Sequence, residues 1–132
     1  MSWVLGTTSK SRLVGVNPKI IEIIDEALEV SPIDFGIPAD GGKRTAERQY
    51  ELFKQGVSKC DGIDRLSKHQ SGDAWDFYAF VNNKASWDRA QLSILYGVFA
   101  AVAYKKNIPI RWGGTFGSKT YNGWDAGHIE LL

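Results

Sequence analysis

The chain has two histidines, His69 and His128, and each has an aspartate close by in the sequence. Asp76 lies seven residues after His69, and Asp125 lies three residues before His128. Zinc in hydrolases usually takes three protein ligands from histidine and carboxylate side chains. A further carboxylate that does not bind the metal is needed to move the proton of the attacking water. Two histidines and one aspartate meet the ligand count, and Asp125 is the natural candidate for the base.

These residues also have an ordinary interpretation. A histidine in a polar loop and a histidine in a glycine-flanked strand can simply be surface residues or satisfied hydrogen-bonding groups. Spacing alone leaves both interpretations open. Cys60 is the only cysteine, which excludes an internal disulfide and a zinc site built from several thiolates.

Length and composition predict one compact domain over residues 1–132. The chain has 43% hydrophobic and 23% charged residues, and its net charge is +1. This balance gives no strong field to attract nucleic acid. The start lacks a basic segment followed by an apolar one, and no apolar run approaches the ~20 residues of a membrane span. We therefore expect no signal peptide, no membrane insertion and synthesis in the cytoplasm, with a monomer as the default state.

The first half of the chain carries clear helix signals. Asn17 can cap a helix over 17–30, with Pro18 at its first position, and Thr45 can cap a second helix that extends to Gly56. The segment 33–37 alternates weakly and predicts a short strand. Residues 57–72 are polar, contain glycines and have no apolar periodicity, so they predict a loop.

The second half is richer in strands. The aromatic run 74–81 predicts a strand, and the segments 108–112 and 127–131 predict two more. Between them, the apolar periodicity of 88–106 predicts a long core helix. Helices with strands around them indicate an α+β domain, with an antiparallel sheet flanked by helices.

The segment 67–76 matches the pattern S-x-H-x-x-G-x-A-x-D. In this respect the chain resembles the zinc D-alanyl-D-alanine carboxypeptidases and the phage L-alanyl-D-glutamate endopeptidases. The end of the chain, at 125–131, resembles the family's closing D-x-x-H-[FIV]-E-L segment. The G-x-R-T-x-x-x-Q stretch from Gly42 and the R-W-G-G stretch from Arg111 also resemble family motifs, so the likeness covers nearly the whole chain.

The resemblance implies a zinc site in a cleft on the sheet, as in the D-alanyl-D-alanine peptidases and the hedgehog signalling domains. It implies that His69, Asp76 and His128 bind Zn2+. It also implies that Asp125 acts as base and then as acid, and that Arg44 faces the substrate, where its charge can stabilise the oxyanion.

Three further side chains are candidate substrate contacts. Ser67 opens the zinc-binding motif, and Trp112 and Trp124 could line the cleft and pack on peptide or sugar. A tryptophan in a small domain is also commonly a core residue whose indole N–H is satisfied by the protein. Both interpretations of the two tryptophans remain open from the sequence.

The family resemblance leaves two reactions open on the peptide part of bacterial peptidoglycan. One is cleavage between L-Ala and D-Glu of the stem peptide, and the other is removal of terminal D-Ala. The absence of an export signal favours the first, in a phage endolysin made in the host cytoplasm and released to the periplasmic cell wall by a holin. A catalytically silent zinc-containing wall-binding module is the non-enzyme alternative, but the presence of Asp125 and Arg44 argues against it.

Overall fold

The computed structural model describes residues 2–115 and 125–132. The elements, in chain order, are helix α1 (Thr7–Arg12), helix α2 (Pro18–Val30), strand β1 (Asp34–Gly36), helix α3 (Ala46–Lys54), strands β2 (Ala74–Asp76), β3 (Tyr78–Val81) and β4 (Lys84–Ser86), helix α4 (Arg89–Lys105), strand β5 (Ile110–Trp112), a 3-10 turn (Gly113–Thr115) and strand β6 (His128–Leu131). No helix among the described residues combines the length and the apolar character needed to cross a lipid bilayer.

The three longest helices begin at side-chain caps. Asn17 accepts a hydrogen bond from the Lys19 N–H at the start of α2. Thr45 caps α3 and Asp88 caps α4 in the same manner, each accepting from a backbone N–H three residues along. Each cap satisfies a backbone donor that has no partner within the helix. The predicted helix starts are therefore confirmed.

The strands form two three-stranded antiparallel sheets, with the orders β1-β3-β4 and β2-β6-β5. The predicted single strand over 74–81 is wrong, because it is divided at Phe77 into β2 and β3, which belong to different sheets. The Phe77 N–H donates to the carbonyl of Gly127. This bond places Gly127, the residue before β6, next to Phe77, where the chain passes from one sheet to the other.

Phe99 of α4 lies at the centre of the core. Its ring makes edge-to-face contacts with Phe35, Trp75 and Phe77, with centroid distances of 5.0, 5.4 and 5.0 Å. These three partners come from β1, β2 and the point of division between the sheets. One helix residue therefore packs against both sheets, and the α+β class with antiparallel pairing is confirmed.

Two elements were not predicted. Helix α1 is only six residues long, and its N-cap, Gly6, has no side chain to accept a hydrogen bond. Strand β4 is mostly exposed, and within residues 2–115 and 125–132 it pairs with β3 alone. Neither element has the apolar periodicity or the cap that marks the others in the sequence.

Candidate metal centre

Two of the proposed ligands lie side by side because of the register of one sheet. Asp76 is the last residue of β2, His128 is the first residue of β6, and the two are direct cross-strand partners. Opposite residues of an antiparallel pair have Cβ atoms only ~5 Å apart. The pairing of these strands thus places a carboxylate next to an imidazole.

The third residue, His69, is held beside them by the loop that precedes β2. Its carbonyl accepts from the Arg44 N–H at 2.9 Å, and its Nδ1 lies 2.8 Å from the carbonyl of Gly42. The loop then turns at Gly72, whose φ of +78° and whose close approach to the Gly15 carbonyl both favour glycine. Gly72 therefore provides the tight turn in the loop between His69 and Asp76.

The three side chains direct one atom each to a common point. Nε2 of His69 lies 3.2 Å from Nδ1 of His128. Oδ1 of Asp76 lies 3.0 Å from Nδ1 of His128 and 3.3 Å from Nε2 of His69. Both histidines are buried, and the aspartate side chain is 21% exposed. The triangle is therefore small and largely shielded from solvent.

Hydrogen bonds outside the triangle fix which nitrogen of each imidazole faces it. Nδ1 of His69 donates to Gly42, and Nε2 of His128 lies 2.8 Å from Oε1 of Glu130. A neutral imidazole carries one N–H and one lone pair. With the N–H groups directed to these acceptors, both lone pairs point into the triangle. This outer arrangement is typical of histidines that bind metal.

The spacing of the three atoms fits a zinc ion. A tetrahedral zinc with ligands at about 2.0–2.1 Å holds its ligand atoms roughly 3.3–3.4 Å apart. The observed separations of 3.0, 3.2 and 3.3 Å are close to that value. Three acceptor atoms at such short range repel one another unless a cation or a proton lies between them. His69, Asp76 and His128 can therefore hold a metal ion.

The electrostatics of the cluster favour positive charge. Burial works against the charged form of His128, but hydrogen bonds to Asp76 and Glu130 raise its pKa to about 9. Burial also works against the charged form of Asp76, yet the contacts of its carboxylate with His128 and His69 hold its pKa below the ordinary value. The negative charges of Asp76 and Glu130 thus favour a positive charge between them; without a metal a proton on His128 supplies it, and a bound cation would take its place.

Asp125 lies outside the triangle, at the start of the turn that leads into β6. Burial raises its pKa above the ordinary value, and the negative charge of Asp76 acts in the same direction. The neighbouring side chains of His128, His69 and Arg44 oppose this shift in the pKa of Asp125. Asp125 thus lies within electrostatic reach of the cluster and retains more affinity for a proton than an exposed aspartate.

The side chain of Arg44 contacts the cluster through Asp76. Its Nη2 donates to Oδ2 of Asp76 at 3.2 Å, while Oδ1 of the same carboxylate faces the triangle. Its Nε donates to the carbonyl of Asp40, and its Nη1 donates to Oε1 of Gln49. The Arg44 side chain is only 12% exposed. The structure therefore brings Arg44 to the centre and places it directly behind one of the ligand residues.

The two described candidates for substrate contact have partners within the protein. The hydroxyl of Ser67 accepts from the His69 N–H at 3.2 Å, which stabilises the loop. The ring of Trp112 stacks on Tyr96, and its indole N–H donates to the carbonyl of Ala126. Neither substrate role is tested by these contacts. Trp124 lies outside the described residues.

Two side chains that support the centre stand at fixed positions of the quoted motifs, but the sequence predicted no role for either of them. Glu130 holds the imidazole of His128, and Gln49, which is fully buried, accepts from Arg44. Gln49 also donates to Ser58 and Cys60 from its amide nitrogen, so its oxygen must face Arg44. Glu130 could have been found, because residues two apart on a strand share a face.

Known proteins resemble this chain over its whole length. A family model for phage L-alanyl-D-glutamate peptidases matches residues 1–132. The L-alanyl-D-glutamate peptidase of Escherichia phage T5 is 31% identical over 142 residues, which cover 100% of both chains. The crystal structure of the L-Ala D-Glu endopeptidase ChiX of Serratia marcescens matches with a TM-score of 0.81 and 28% identity, covering 98% of this chain and 90% of that one.

Proposed function

Because the chain belongs to the phage L-alanyl-D-glutamate peptidase family, we propose that it is a zinc-dependent endopeptidase that cuts the stem peptide of bacterial peptidoglycan. The bond is the one between L-Ala and D-Glu. The relative from phage T5 and the ChiX enzyme are both named for these two residues. Their names favour this endopeptidase over a D-Ala carboxypeptidase and over a silent binding module.

The observation that carries the zinc dependence is the triangle formed by His69, Asp76 and His128. Its edges of 3.0–3.3 Å and its two lone-pair-bearing nitrogens suit Zn2+ as the cofactor. A zinc ion held there supplies Lewis-acid chemistry, since it polarises a carbonyl group and makes water more acidic. Three protein ligands leave a position open for the reaction, as in catalytic rather than structural zinc sites.

Asp125 moves the proton in this proposal. It accepts a proton from the water that attacks the scissile carbonyl and passes that proton to the departing amine. Its raised pKa suits both steps, because a carboxylate with more affinity for protons is a better base at neutral pH. Its place outside the ligand triangle leaves its oxygens available for this task.

Arg44 stabilises the negative charge that develops on the carbonyl oxygen. Its guanidinium lies against Asp76, so its positive charge is fixed beside the metal ligands before the substrate binds. A charge that is already in place costs no reorganisation as the reaction proceeds. Ser67 and Trp112 remain candidate substrate contacts beside it.

The partner in this proposal is the peptidoglycan stem peptide, and the enzyme acts as a monomer. The substrate bond lies outside the host membrane, in the periplasmic wall. A phage protein made in the host cytoplasm would reach that bond after a holin opens the membrane. Host lysis would follow from the loss of cross-linked stem peptides.

Two substitutions separate metal binding from catalysis. Asp125→Asn should retain zinc and lose about 10²–10⁴-fold in kcat, which is the contribution of a general base. His128→Ala should lose both zinc and activity, because one of three ligands is removed. Zinc content and hydrolysis of a purified muropeptide are measured on both, with Asp64→Asn, an exposed loop aspartate, as the control. Full activity in Asp125→Asn would overturn the assignment of the base.

A further inference from the structure

The ring of Trp112 is partly covered by the protein. Tyr96 stacks on it with centroids 4.4 Å apart and planes within 5°. The main chain of Gly114 lies against the same ring, since a Cβ atom there would be 2.2 Å from two ring carbons. These contacts take up part of the ring surface that a sugar or a peptide would use for stacking.

The polar atom of Trp112 is directed at the turn that carries Asp125. Its indole N–H donates to the carbonyl of Ala126 at 2.8 Å. The next residue on this side, Gly113, accepts from the Asp125 N–H at 3.3 Å. The last residue of β5 and the residue after it thus bind two consecutive residues of the turn before β6.

The turn is also fixed relative to the ligands. The His128 N–H donates to the carbonyl of Asp125 at 3.1 Å. A Cβ atom on Gly113 would lie 2.0 Å from that same carbonyl oxygen, so the two segments are too close for a side chain at this position. Only glycine permits this approach. Any shift of the 112–114 segment would therefore move Asp125.

We propose that Trp112 is a positioning residue for Asp125. The stacked ring holds the indole N–H in place, and that N–H fixes the turn at Ala126, so the Asp125 carboxylate is kept in one position relative to the metal ligands. The expected effect of Trp112 on the rate of hydrolysis rests on the proposed function, whereas its expected effect on the stability of the turn does not. Catalytic groups must be held to within about 0.5 Å by rigid neighbours to work at full rate.

The test uses Trp112→Phe, which keeps an aromatic ring on Tyr96 and removes the N–H donor. The matched control is Trp3→Phe, because the Trp3 indole N–H also donates to a backbone carbonyl, that of Ser31, at 2.9 Å. With a muropeptide as substrate, kcat of Trp112→Phe should fall about tenfold while KM stays within about twofold. Zinc content should equal that of wild type. A rise in KM at unchanged kcat would overturn the proposal and favour substrate contact.

A double substitution shows whether the effect passes through Asp125. Adding Trp112→Phe to Asp125→Asn should cause no further loss in kcat, because the group being positioned is already gone. Losses that multiply in the double variant would show that Trp112 acts by another route.

Hydrogen exchange tests whether Trp112 fixes the turn at Asp125, and this measurement does not require the protein to be active. The N–H of His128 donates to the Asp125 carbonyl within the turn, and the N–H of Asp125 donates to the Gly113 carbonyl across from it. Their exchange should be about tenfold faster in Trp112→Phe than in Trp3→Phe. Equal exchange in both variants would overturn the proposal. A further outcome is that the wild-type protein leaves the muropeptide intact while exchange at these N–H groups is still faster in Trp112→Phe. In that case the proposed function fails, and the role of Trp112 in positioning the turn stands.

Discussion

The hydrogen bond from His128 to Glu130 should contribute strongly to zinc affinity. Glu130→Leu removes the acceptor for the Nε2 proton while keeping a side chain of similar length. Without that acceptor, the neutral imidazole can carry its proton on Nδ1, and a protonated Nδ1 cannot bind metal. Glu130→Gln keeps an oxygen in place and removes only the charge.

The size of the effect follows from the geometry of this pair. Loss of an outer hydrogen-bond partner usually weakens metal binding about 10–100-fold, which is about 1.4–2.7 kcal/mol. The Nε2 to Oε1 distance is 2.8 Å, and the two side chains are 9% and 13% exposed, so water is poorly placed to replace the carboxylate. We therefore expect a loss near 100-fold for Glu130→Leu and about tenfold for Glu130→Gln.

The assay is competition for zinc between each variant and a chromophoric chelator. Glu51→Leu is the control, because Glu51 is half-exposed on α3 and pairs with Arg48 rather than with a ligand residue. Its zinc affinity should equal that of wild type. Wild-type affinity in Glu130→Leu would refute the reasoning that this bond orients His128. Weaker binding by the Gln variant than by the Leu variant would refute it as well.

Three further outcomes are expected. Burial raises the pKa of Asp125, and only its ionised form is a base, so kcat/KM should fall as the pH drops through a pKa above 3.8. This acidic limb should be missing from the pH profile of Asp125→Asn. Zinc restored to chelator-treated protein at about 1,000 times its Kd should add about 4 kcal/mol of stability, and calorimetry should show Tm rising by roughly 12 °C. Phe99→Ala should lower the free energy of unfolding by about 3–5 kcal/mol in urea titrations, because three aromatic contacts across both sheets are lost.

The long helices could be predicted because their signals are local. Asn17, Thr45 and Asp88 each cap a helix, and the apolar spacing that follows each cap gives the buried face. The grouping of His69, Asp76 and His128 was also predicted, from a resemblance in motif rather than from spacing alone. Their atoms meet within 3.3 Å, and their role as zinc ligands stays a prediction.

The remaining features depend on contacts between distant parts of the chain. The run 74–81 has uniform strand propensity, and its division at Phe77 depends on pairing with β6 in one sheet and with β1 and β4 in the other. The bond from Arg44 to Asp76 joins residues 32 positions apart. The contacts of Trp112 likewise require Tyr96 and Ala126 to be placed by the fold. No local pattern in the sequence encodes such pairings.

The most direct test is mass spectrometry of purified Gram-negative peptidoglycan after incubation with the protein. Three samples are compared: untreated protein, protein with a zinc chelator, and chelated protein to which zinc is restored. We expect stem peptides split between L-Ala and D-Glu in the first and third samples and intact stem peptides in the second. Release of terminal D-Ala would contradict the proposed bond, and equal cleavage in all three samples would contradict the dependence on zinc.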